Sequence, residues 1–128
     1  MARSAIVLPK RSEVDPANCW DLASLFKSQD EWEKGLKKWD RMVKGYARFK
    51  GKLGRSARTL RDLLVFDAEI SRLADRVIRY AFLKEAEDQS NSEAVRMKGR
   101  ALHLATRTNE ESAFIRPEII AIPQAKMK

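Results

Sequence analysis

The side chains best suited to nucleophilic or metal chemistry in this chain are few. There is one histidine, His103, and one cysteine, Cys19. A single histidine excludes any two-histidine metal centre, and a single cysteine excludes an internal disulfide. A Cys–His dyad would need an activated thiolate, and nothing next to Cys19 marks it as one. His103 stands between Leu102 and Leu104, with Glu110 about two turns away, so a half-buried helix residue is expected there. Glu85, Glu87 and Asp88 form an acidic cluster near a helix end, where they oppose the macrodipole. No EF-hand spacing follows them, and Asp88 with Asn91 is expected to shape a turn. A glycine-rich phosphate loop and a G-x-S-x-G elbow are both absent.

Charge is the more site-like signal. Lysine and arginine number 26 against 18 acids, a formal net charge of +8. From Lys34 to Arg61 every charged residue except Asp40 is basic. Lys34, Lys37, Lys38, Arg41, Lys44 and Arg48 recur on one side of a helical pattern and form the candidate basic surface. Such a surface attracts nucleic acid, anionic lipid or an acidic protein, and it also serves as an ordinary solvated face. Aromatic residues do not interleave with it, which argues against stacking on single-stranded bases. Only weak, non-specific nucleic-acid binding is expected.

These residues must be positioned by helices. The chain has 128 residues, 44% hydrophobic and 34% charged, enough for one core. No apolar run approaches a membrane span of about 18 residues. The run from Ala5 to Leu8 is also shorter than a signal peptide requires. The chain is read as soluble, unexported and cytoplasmic, and its lone thiol fits a reducing compartment.

Residues 1–27 read as an extended arm with a short apolar segment, whose Trp20, Leu22, Leu25 and Phe26 could pin it to a core. Residues 28–123 read as a helical domain, and 124–128 as a disordered tail. The first helix opens at a capping box, Ser28 with Glu31. It continues through Trp32, Leu36, Trp39, Val43 and Tyr46, and should end near Gly51. A second runs from Ser56 to about Asp88, with Leu60, Leu63, Phe66, Ile70, Leu73, Val77 and Tyr80 on one stripe. Leu64, Ile78, Ala81 and Phe82 widen that stripe. A second capping box, Ser90 with Glu93, opens a third helix, lined by Ala94, Met97, Ala101, Ala105 and Thr108. Arg116-Pro117 should break it, with a short restart over Pro117 to Ile122. The pattern predicts an all-α fold, an antiparallel helical hairpin or three-helix bundle with an extended N-terminal arm.

Several segments resemble the start of oligoendopeptidase F, within the thimet-type zinc metallopeptidases. They are Pro9 to Val14, then Trp20-Asp21-Leu22 with Phe26, the helix entry at Glu31-Trp32, and Tyr46 to Leu53. Tyr80 to Leu83, Glu87 to Asn91 and Phe114-Ile115-Arg116-Pro117-Glu118-Ile119 follow in order. The resemblance implies the family's N-terminal helical domain alone, one wall of a channel admitting short peptides. The family's zinc site needs His-Glu-x-x-His. Here Leu104-Ala105-Thr106 follows the only histidine. No catalytic residue carries over, no cofactor is expected in this chain, and zinc is implied for full-length relatives only.

The expectation is therefore a non-catalytic domain, or a truncated form, of such a peptidase. A stand-alone basic helical adaptor for nucleic acid or an acidic protein is the alternative. The expected partner is a missing catalytic domain, or a second copy through the long second helix, whose stripe looks too wide for its neighbours to cover. Peptide substrate is expected only for the full-length form, and no membrane partner is expected.

Overall fold

The computed structural model describes residues 6–127, so the first five residues of the arm and the last residue of the tail lie outside it. Helix α1 spans Gln29–Val43, α2 Ala57–Glu87, α3 Ser92–Ser112 and α4 Ile115–Ile120. The described residues contain no strand. The fold is all-α, as the helical periodicity implies.

Ser28 caps α1 by accepting the Glu31 N–H at 3.2 Å. Glu31 does not return the bond. Its carboxylate takes Lys34 instead, at 2.9 Å. Beyond Val43 the chain tightens into a 3-10 helix, Lys44–Arg48, and turns at Gly51, whose φ of 77° disfavours any residue with a Cβ. Ser56 caps α2 through the Thr59 N–H. With 31 residues this helix is about 46 Å long and forms the spine of the molecule.

Two sequence expectations need correction. The third helix starts one residue later than the Ser90–Glu93 box implies. Asn91 is its cap, and its Oδ1 accepts both the Glu93 and Ala94 N–H groups. Ser90 is diverted to Asp88, which accepts its N–H at 3.0 Å and its hydroxyl at 2.5 Å. These bonds hold the Asp88 carboxyl below its ordinary range. The break after α3 also comes earlier than Arg116-Pro117, at Ser112. Pro117 lies inside the first turn of α4, where its missing N–H would have had no intrahelical partner.

Trp32, Trp39, Val43 and Tyr46 are buried against Leu63, Ile70 and Val77 of α2. Met97, Ala101 and Leu104 bring α3 against the same core. The Trp32 indole N–H donates to the Val77 carbonyl at 2.9 Å, a buried bond from α1 to α2. Tyr46 donates its hydroxyl to Asp67 at 2.6 Å and packs edge-on against Phe66 and Phe114. Glu118 accepts from the N–H groups of Gly51 and Leu53, fastening α4 over the turn before α2.

The arm carries three 3-10 turns, Arg11–Glu13, Pro16–Asn18 and Leu22–Ser24. Leu22 and Phe26 enter the core, Leu25 is half-buried, and Trp20 is exposed. Phe26 meets Tyr80 edge-on at 5.6 Å and lies under the Arg76 guanidinium. It fits because Gly35 has no side chain: a Cβ there would come within 2.8 Å of the Phe26 ring. Arg11 ties the arm to the end of α2 through Glu87, at 2.9 Å. In the expected tail, Gln124–Lys126 forms a 3-10 turn, with Lys126 Nζ 3.4 Å from the Gly54 carbonyl. No helix of the described residues is long and apolar enough to cross a membrane.

Candidate functional site: a cationic groove between α1 and α3

Helices α1 and α3 pack side by side on α2. Glu33 on α1 holds Arg100 on α3 in a two-pronged pair, one prong at 2.8 Å. Asp40 holds Arg107 at 2.9 Å. Each partner of the second pair lies seven residues beyond its counterpart in the first, so the two helices run parallel and in fixed register. Arg100 also lies over the Trp32 ring, 5.5 Å from its centroid. Its guanidinium lowers the Glu33 pKa, mainly by hydrogen bonding, and Lys37 adds a smaller push in the same direction.

Along this seam lies a groove of about 780 Å³. Its floor is the buried Leu36 and Leu104, with the exposed backbone of Gly99 beside them. Its rim carries Lys37 and Arg41 from α1, and Arg96, Arg100, His103 and Arg107 from α3. Asp40 is the one carboxylate lining it. Leu36 and Leu104 stand here because α1 and α3 each turn one edge of their apolar stripe toward the seam, while the flanking positions carry charge.

All six residues of the candidate basic surface are exposed, but they do not act together. Lys37 and Arg41 line the groove. Lys34 pairs with Glu31, and Arg48 lies over the Phe49 and Phe66 rings, 4.8 and 4.6 Å from their centroids. Lys38 and Lys44 do not line the groove. The cations that complete the rim come from α3, which the sequence reading did not single out. The signal for them was available: Arg96, Arg100 and Arg107 fall on one side of the third helix, next to His103.

His103 is exposed rather than half-buried, because its side of α3 faces the groove and not α2. Cys19 is half-buried and receives the Arg11 guanidinium at 2.7 Å. The acidic cluster is dispersed into separate contacts: Glu85 takes Lys98 at 2.7 Å, Glu87 takes Arg11, and Asp88 takes Ser90. Those contacts give the acids at the α2 terminus a structural reason to be there. Among the described residues no three His, Cys, Asp or Glu side chains come together in a way that could hold a metal ion. The donor set present does not fit the zinc that the family resemblance implies for full-length relatives.

Fold alone does not assign a function, which must be argued from the site and from similarity. The chain is 29% identical to Oligopeptidase PepF of Bacillus subtilis over 98% of its own length and 19% of that protein's. It is 27% identical to the chromosomal Oligoendopeptidase F of Lactococcus lactis over 89% of its length, again 19% of the relative. Group B oligopeptidase PepB of Streptococcus agalactiae matches at 23% over 90% of the chain and 19% of the relative. No family model and no solved structure matches it. The chain thus resembles a fragment of the oligoendopeptidase F family and spans about a fifth of the length of these relatives.

Proposed function

We propose that this chain is a non-catalytic N-terminal helical domain, or a truncated form, of an oligoendopeptidase F-like zinc metallopeptidase that cleaves short peptides in its full-length form. The observation that carries the reading is the pattern of similarity, nearly all of this chain against about a fifth of each relative. In this role the chain binds no zinc and hydrolyses nothing by itself. Its bundle acts as a rigid wall for a catalytic domain carried elsewhere, in the cytoplasm.

The test is a graft. This chain replaces the matching fifth of Bacillus subtilis PepF, and a quenched fluorogenic peptide reports hydrolysis. The isolated chain should release no fluorescence and retain no zinc after dialysis, while the graft should cleave and lose activity to chelator. One zinc per isolated chain with chelator-sensitive cleavage would overturn the reading. So would a folded graft that binds zinc but does not cleave.

A further inference from the structure

The groove between α1 and α3 has features that a merely solvated face does not need. Its floor is apolar, and its rim sets five cationic side chains against the single carboxylate of Asp40. Arg100 and Arg107 are already paired across the seam, to Glu33 and Asp40. Lys37 and Arg41 have no ion-pair partner among the described residues, and Arg96 has only a 3.7 Å contact with Glu93 on its own helix. Lys37 and Arg41 are four residues apart, hence neighbours on one helix face. Three cations therefore stand ready around a space that nothing among the described residues fills. At Gly99 an added Cβ would meet no atom within 4 Å, so the α3 side of the groove is open there.

The register sets the length of what fits. The two cross-seam pairs are seven residues apart, about 10 Å along a helix axis. An extended peptide advances about 3.3 Å per residue, so roughly three residues lie between the pairs. Successive side chains of such a peptide point to opposite sides. When the two outer side chains of a three-residue stretch point toward α1, the central one points to the opposite side, toward Gly99 and Leu104 of α3. Carboxylates in the two outer positions, about 6.6 Å apart, match Lys37 and Arg41, which stand one helical turn apart on α1.

We propose that the α1–α3 groove binds an acidic peptide segment of the form acid–apolar–acid in extended conformation. The occupant is a peptide rather than a nucleic acid because the groove offers leucine and glycine, with no exposed aromatic face on which a base could stack. The proposal does not depend on the peptidase reading, since it concerns binding by the isolated chain and not hydrolysis by the graft.

The experiment titrates the intact 128-residue chain with acetyl-Gly-Glu-Leu-Glu-Gly-amide, following amide resonances by NMR. Resonances of Leu36, Gly99, His103 and Leu104 should move, and affinity should fall as salt rises. The double variant Lys37→Glu/Arg41→Glu alters two exposed side chains and should bind roughly tenfold more weakly or worse. Gly99→Leu, which fills the open α3 side, should weaken binding with the salt dependence kept. Both variants should keep the parent's helical circular dichroism. The proposal is overturned if the acidic peptide does not bind at millimolar concentration, or if both variants bind as the parent does. It is equally overturned if the shifts map outside the groove, or if acetyl-Gly-Lys-Leu-Lys-Gly-amide, inorganic phosphate or a short oligonucleotide binds the groove as tightly.

Discussion

Trp32 and Trp39 provide a matched pair for testing how the core is held. They lie two turns apart on α1, and their exposures are 0% and 1%. The difference is at the indole nitrogen. Trp32 donates to the Val77 carbonyl at 2.9 Å, whereas Trp39 Nε1 is buried with no partner among the described residues. Replacing either residue by phenylalanine removes roughly 35 Å³ of side chain, which costs about 1 kcal/mol through the cavity left behind. At Trp32 the lost hydrogen bond adds about 1 kcal/mol. At Trp39 the change instead removes a buried, unsatisfied donor, and about 1 kcal/mol is returned. Trp32→Phe should therefore destabilise by about 2 kcal/mol and Trp39→Phe by about zero. Urea denaturation followed by helical circular dichroism measures both. In melting temperature the two variants should differ by about 6–10 °C for a chain of this size. If Trp39→Phe proves as destabilising as Trp32→Phe, the unsatisfied indole is not a real feature of the folded core and the reasoning fails.

Alkaline pH should expose the buried tyrosines. Burial raises the pKa of Tyr46 and of Tyr80, and the Asp67 hydrogen bond raises Tyr46 further. The folded chain keeps protons that the unfolded chain releases near pH 10, so stability should fall as pH climbs past about 10. Urea midpoints across that range, compared with Tyr46→Phe, check this: the variant should lose less stability with rising pH. Gly51→Ala should destabilise by about 1 kcal/mol, because the positive φ there strains any Cβ; an unchanged thermal midpoint would contradict it. The chain should self-associate through α2 by way of the exposed Leu64 and Phe82, so Leu64→Lys should shift a sedimentation profile toward monomer. An unchanged profile at tens of micromolar would contradict that route. Binding to single-stranded DNA should be weak and fall steeply with salt, and sequence-selective binding that persists at high salt would contradict it.

The helices were legible because apolar spacing is a local property. Trp32 to Tyr46 and Leu60 to Tyr80 repeat at the helical period whatever packs against them, and Ser28 and Ser56 cap the helices that follow. The resemblance to a peptidase fragment was equally legible, since it rests on residues in order and not on their contacts. Competition among neighbours was not legible. Ser90 and Asn91 are both good caps, and Asp88 decided between them by taking Ser90 for itself.

The groove was the least legible feature, because its halves come from helices separated by 67 residues, the interval from Glu33 to Arg100. The sequence put Lys37 and Arg41 on the solvent side of α1. Only the parallel register of α1 and α3 on α2 places Arg96, Arg100 and Arg107 beside them. That same register turns His103 to solvent, and pairs the Trp32 indole while leaving the Trp39 indole without a partner among the described residues. Periodicity selects which face of a helix is buried. The partner that each buried or rim atom meets depends on the axial offset between helices, which packing across the whole core determines.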